Sequence, residues 1–129
     1  MALGIKTSRT LLNSATRAAN TATAAQTDAD CSALRLYLNV SAASGSGGIL
    51  PIIRGYDRVS GNSVELTTGG VYAVTQVGTY AFEMSYHPSD AFGNVREAVS
   101  RAVPYQWDVV VKHFDGSNYA YSLSADILK

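Results

Sequence analysis

The stretch "WDVVVKHFDGSNYAYSLSADILK" (residues 107–129) decides the fold. Trp107, Val109, Val111 and His113 fall on one side of an extended chain, and Asp108, Val110, Lys112 and Phe114 fall on the other. Asp115-Gly116-Ser117-Asn118 carries turn chemistry, because Asp and Asn bond their own backbone and Gly tolerates positive φ. Beyond it Tyr119, Tyr121, Leu123, Ala125 and Ile127 recur at every second position. A period of two marks a half-buried strand. The pattern predicts two strands joined by a short turn, a regular β-hairpin.

The same period runs upstream. Leu34, Leu36, Leu38 and Val40 alternate with Arg35, Tyr37, Asn39 and Ser41. "SGSGG" (44–48) reads as a flexible connection into "ILPIIRGYD" (49–57), the next strand. Pro51 has no donor for a ladder, so it is expected at the strand start or on an edge. Residues 57–62 read as a turn, 63–66 as a short strand and 67–70 as another turn. After Gly78, Tyr80, Phe82, Met84 and Tyr86 alternate with Ala81, Glu83 and Ser85. Residues 87–94 read as a loop. Residues 95–103 suit either one helical turn or a short strand, and Pro104 leads into the closing segment. Short strands separated by turns predict an all-β fold, an antiparallel β-sandwich of jelly-roll or Ig-like type. Its expected core comprises Leu34, Leu36, Leu38, Val40, Tyr80, Phe82, Met84, Trp107, Val109, Val111, Tyr121 and Leu123. No solenoid repeat is present.

The N-terminal segment differs in texture. Residues 1–27 contain Lys6, Arg9 and Arg17 and no acid. Alanines at 15, 18, 19, 22, 25 and 29 match helical spacing, whereas the interspersed Thr and Asn are poor helix formers. Alanine also buries too little area to hold a helix down. An extended segment ending as a strand at 16–25 is the favoured reading, with a helix as the alternative. Residues 1–14 are expected to form an extended arm and 15–129 a single sandwich domain. Leu3, Ile5, Lys6, Arg9, Leu11, Leu12 and Arg17 are the candidate interface residues, a frayed terminus being the other reading.

Bulk composition narrows the function. A chain of 129 residues supports one domain with a sufficient core. Ten basic and ten acidic residues cancel, so neither nucleic acid nor a membrane is an expected partner. Low charge favours association. No apolar run reaches transmembrane length, and no apolar signal-peptide core follows Lys6 and Arg9. The single Cys31 excludes an internal disulfide.

Chemistry is sparse. His87 and His113 lack a nucleophile or paired carboxylate at a telling spacing. Cys31 reads as a small, semi-buried thiol. Asp28 and Asp30 lack the calcium-loop pattern and read as turn caps. "SGSGG" is not followed by the Gly-Lys-Ser/Thr of a phosphate loop. No catalytic residue, cofactor or metal is therefore expected, and the chain reads as non-enzymatic. Eight tyrosines suit a core and rim role, a protein interface or, with Trp107, a sugar platform.

Three stretches carry a resemblance: "LRLYLNVSAASGSGG" (34–48), "IRGYDRVSGNSVEL" (53–66) and "VPYQWDVVVKHFDGSNYAYSLSADIL" (103–128). Together they resemble small virion structural proteins of tailed bacteriophages, of the capsid decoration or cement type. The shared pattern is a strand ending in Asn-Val-Ser-Ala with a Gly-rich turn, then a Gly-x-Asp-x-Val-Ser-Gly turn. A Pro-x-x-Trp-x-Val-x-Val strand and a final Tyr-Ser strand follow. The likeness extends over roughly residues 16–128, and the charge-rich segment 86–103 departs from it. It implies a homo-oligomer that binds the major capsid protein on the capsid surface of the virion, assembled in the host cytoplasm. A tail or baseplate component and a carbohydrate-binding module are the alternatives.

Overall fold

The alternating segments become ten strands: β1 (Ile5–Arg17), β2 (Thr21–Ala22), β3 (Gln26–Thr27), β4 (Ala33–Ala43), β5 (Ile49–Tyr56), β6 (Ser63–Glu65), β7 (Gly78–Ser85), β8 (Val95–Ser100), β9 (Gln106–His113) and β10 (Tyr119–Leu128). The structure, a computed structural model, describes residues 5–28, 31–70, 72–85 and 95–128. Leu3 and Tyr86, the loop expected at 87–94 and the far end of the chain at Lys129 lie outside them. No helix occurs among the described residues.

Two sheets form, one in the order β1-β10-β4-β7-β8 and the other β2-β9-β5-β6, with β3 also on β9. Pairing is antiparallel except for β8, which joins β7 in parallel. The segment that suited either a helical turn or a strand is thus a strand, and Val99 from it packs on the core. The fold is an all-β sandwich, as the alternation predicts.

The closing segment is not a hairpin. β9 pairs with β5 and with β2 and β3, whereas β10 lies in the opposite sheet between β1 and β4. The turn at 115–118 therefore carries the chain across the core from one sheet to the other. It is interlocked with the β4–β5 connection, which crosses in the opposite direction. Phe114 N donates to Gly48 O at 3.1 Å, and Ser44 N to Asn118 O at 3.1 Å. Asp115 Oδ2 accepts from Gly47 N at 2.7 Å, and Asp115 also accepts from the Tyr119 hydroxyl. The "SGSGG" stretch is accordingly a close-packed crossing rather than a flexible connection. A Cβ on Gly45 would lie 2.5 Å from Asp115 Oδ2, and one on Gly47 2.9 Å from it.

Both arms of that crossing still turn their apolar residues inward. Trp107, Val109 and Val111 meet Tyr121, Leu123 and Ile127 in one cluster with Leu34, Leu36, Leu38, Val40, Phe82 and Met84. Of the expected core, only Tyr80 is half-buried, packed against that cluster rather than within it. Burying a residue of this kind contributes about 1.5–3 kcal/mol, which makes the cluster the main source of stability.

Pro51 pairs with Val111 inside β5. Ile49 and Ile53, which share its register, direct their backbone groups to Val74 and to the 66–67 segment. The absent Pro51 donor faces that same side, beyond the three-residue β6, so no β9 ladder bond is lost.

The N-terminal segment corrects the expected division. β1 runs through the 14/15 boundary and pairs with β10 from Ile5↔Leu128 to Arg17↔Tyr119. Residues 5–14 therefore extend the sheet instead of leaving it as an arm. Pairing covers the edge of β10, and register shifts around Leu12 let both Leu11 and Leu12 reach the core. Residues 16–25 are not one strand. β1 ends at Arg17, and β2 and β3 make two short pairings along β9. Thr23 bridges the break: its N donates to Val109 O at 2.9 Å, and its Oγ1 accepts from Val109 N at 3.1 Å.

Candidate functional site

Of the expected interface residues, Arg9, Leu11, Leu12 and Arg17 are engaged within the protomer. Leu3 is not among the described residues, and Ile5 and Lys6 are placed only as part of the β1 backbone. Leu11 and Leu12 pack against the core. Arg17 donates to the carbonyls of Tyr121 at 2.7 Å and Asn13 at 2.7 Å, and its guanidinium lies over the Tyr121 ring. Arg9 reaches from β1 to the opposite sheet. Its Nη1 donates to Asp28 Oδ2 at 2.9 Å and to Gln26 Oε1 at 3.2 Å, and its Nη2 pairs with Asp28 Oδ1. The Asp28 hydrogen bond raises the Arg9 pKa above its ordinary value.

Asp28 is the residue that the sequence undervalues. Expected as a turn cap, it is only 7% exposed. Besides Arg9 it accepts from the Trp107 indole, Nε1 to Oδ2, at 3.1 Å. Trp107 is 0% exposed, so it offers no sugar surface. The signal available in sequence was one buried tryptophan, whose N–H needs an acceptor.

The outer face of the second sheet carries charge in a built arrangement. Arg54 donates to Asp108 through Nε at 2.8 Å and Nη2 at 2.6 Å, and the Tyr56 hydroxyl donates to Asp108 Oδ2 at 2.6 Å. That last bond, more than burial, pushes the Tyr56 pKa up. Lys112 on β9 pairs with Glu65 on β6 at 2.6 Å, across the intervening β5. These groups satisfy one another and leave no reactive base. Among the described residues no group of three or more His, Cys, Asp or Glu could hold a metal ion. Cys31 is half-buried and donates to Ala33 O at 3.2 Å.

Exposed apolar side chains fall in two places: Val59, Val64 and Tyr105 by the β5–β6 hairpin, and Tyr72, Val77 and Phe114 away from it. Val59 is 98% and Val64 60% exposed on the β5–β6 hairpin. Arg58 stacks over the nearby, exposed Tyr105 ring, 4.2 Å from its centroid. The tyrosines divide among roles: Tyr119 and Tyr121 are core, Tyr37, Tyr56 and Tyr80 half-buried, and Tyr72 and Tyr105 exposed.

Tyr72 belongs to a pocket of about 360 Å³ beside β7 and β8, lined also by Ala73, Thr75, Gln76, Tyr80 and Arg96. One wall is residues 72–76, and residues 68–69, nearby in sequence, are latched to β8 by Glu97. That carboxylate accepts from Thr68 Oγ1 at 2.7 Å, Thr68 N at 3.2 Å and Gly69 N at 3.1 Å. Gly70, at φ +98°, brings the segment so close to β8 that a Cβ would lie 3.1 Å from the Arg96 carbonyl oxygen.

Comparison with known proteins finds no matching family model, no matching curated protein and no matching solved structure.

Proposed function

We propose that this chain is a non-enzymatic structural protein of a tailed-phage virion, a decoration or cement protein that binds the shell of major capsid protein as a homo-oligomer. The observation that carries the reading is strand order. Counting β2 and β3 as one broken edge strand and setting the appended β8 aside, the sheets run first-eighth-third-sixth and second-seventh-fourth-fifth. That is the order of a jelly roll, an architecture used by viral capsid and lectin domains. The finer assignment, jelly roll over Ig-like, is part of this proposal.

The surface chemistry supports an assembly role. The charges on the second sheet are spent on internal pairs, while Val59, Val64 and Tyr105 stay uncovered at one end. Tyrosine and arginine are favoured at the centres of interfaces. In this reading that end, rather than the N-terminal segment, faces the shell.

The test is solution mass followed by co-sedimentation with undecorated capsids. An oligomer that pellets with shells at fixed stoichiometry, and a Val59→Asp variant that stays in the supernatant, are expected. A monomer that ignores capsids would overturn the reading in favour of a tail or baseplate component.

A further inference from the structure

We propose that the pocket between the 72–76 segment, Tyr80 and Arg96 binds an acidic saccharide, a pyranose carrying one carboxylate. The inference stands on the pocket and is independent of the assembly reading.

Arg96 is exposed, and its guanidinium is held over the Tyr80 ring, 5.1 Å from the centroid. The ring is itself fixed, because the Tyr80 hydroxyl donates to Gln76 O at 3.0 Å. The guanidinium makes a long contact of 3.4 Å to Tyr72 O, which leaves most of its donors available to a ligand in the pocket it lines. A planar fork of this kind matches a carboxylate in two parallel bonds. The wall holds no second cation, which suits a single negative charge better than a phosphate dianion.

The remaining lining specifies the rest of the ligand. Thr75 and Gln76 offer a hydroxyl and an amide, donors and acceptors in the mixture that sugar hydroxyls require. Tyr72, 76% exposed, stands at the rim with an aromatic face free to cover the C–H face of a ring. The volume is at the low end of the roughly 300–1,000 Å³ typical of small-molecule sites, and a mostly polar lining disfavours an apolar ligand. The wall does not need to be organised by binding, because Val74 exchanges backbone bonds of 2.9 and 3.0 Å with Ile49 and Gln76 O accepts from the Tyr80 hydroxyl at 3.0 Å. One partly solvated guanidinium gives weak binding by itself; many copies on one surface would multiply it.

The experiment is an NMR titration of the labelled full chain with methyl glucuronide, methyl glucoside and acetate. The expected result is shifts at Tyr72, Gln76 and Arg96, with Kd for the glucuronide about tenfold below that for the glucoside, the effect of one charge-assisted pair. Arg96→Gln should reduce the glucuronide to the level of the glucoside, and Tyr72→Ala should weaken both sugars. Arg101→Gln, which removes an exposed cation just past β8 and outside the pocket, should change nothing. Equal binding of the two sugars, binding of acetate as tight as the glucuronide (a simple anion site only), or no shifts at millimolar ligand would each overturn the proposal.

Discussion

Along the seam where β1 faces β2 and β3, the two sheets are joined by a buried carboxylate. Asp28 holds the Arg9 guanidinium and the Trp107 indole at once. Along the opposite seam, where β8 faces the 66–70 segment, they are joined by Glu97, a half-buried carboxylate that accepts from Thr68 and Gly69. Both ties are acidic residues reaching from an edge, yet they work in different dielectrics. Water can take the place of Glu97 at the exposed Thr68, though less readily at the buried Gly69. It cannot easily replace an acceptor for Trp107, which is 0% exposed. The first seam also joins distant parts of the chain, since Asp28 links Arg9 of β1 to Trp107 of β9, 79 positions further on from Asp28. The difference teaches where the sandwich is locked and where it can be altered. The pocket lies on the replaceable side.

The sharpest way to break the contrast is Asp28→Ala. It leaves a guanidinium and an indole N–H without their acceptor, and removing one partner of a buried pair costs about 3–5 kcal/mol. Because the Arg9 side chain remains 30% exposed and can turn to water, the loss should fall at the lower end. Urea unfolding measures it. A loss under about 1 kcal/mol would mean that the seam is wet and that the two sides are equivalent.

Glu97→Ala tests the other seam. Three bonds disappear, but Thr68 is exposed and its groups regain water. A cost of about 1–2 kcal/mol is expected, most of it from the buried Gly69 donor. The same variant should loosen residues 67–70, so hydrogen exchange at Gly69 and Gly70 should rise while β9 stays protected. An unfolding cost equal to that of Asp28→Ala would erase the distinction between the seams.

Much of this architecture was legible. The period of two placed Leu34 to Val40, Phe82 and Met84, and Trp107 to Val111 on inward faces, because alternation reports burial directly. It does not report which strand is the neighbour. An arch that crosses between sheets and a hairpin within one sheet turn the same residues inward, so residues 107–129 read as a hairpin although β9 and β10 belong to opposite sheets. What distinguishes the two lies in the partner loop: Gly45 and Gly47 are glycines because Asp115 and Tyr119 press against them. That contact joins positions roughly seventy residues apart. The N-terminal segment misled for another reason. Its Ser, Thr and Ala content is neutral in propensity, and only pairing with β10 makes Ile5–Arg17 a strand. The pocket was equally hidden, because Tyr72, Tyr80 and Arg96 come from three separate segments with no shared motif.

The smallest expected effect lies at the other end of the buried seam, where His113 of β9 bonds Tyr121 of β10, Nε2 to the hydroxyl, at 2.8 Å. Nδ1 is buried and finds no partner among the described residues. The groups facing the ring are Tyr119 edge-on, Tyr121, Asp115 and Arg17. Burial lowers the His113 pKa below its ordinary 6.5, with Arg17 adding to the shift and Asp115 opposing it. The unfolded chain therefore takes up a proton before the folded one does. Stability is complete above pH 6.5 and declines as pH falls below 6.5 toward the folded value. A protonated ring would present two donors, one of them aimed at no acceptor. Comparing urea midpoints of the wild type and His113→Gln between pH 7.5 and 5.5 isolates the effect, since His87 is common to both. The wild type should lose ground to the variant as pH falls. If it gained ground instead, Asp115 would be the dominant neighbour, the ring would be held as a cation, and this end of the seam would be sealed by charge in the same manner as the Asp28 end.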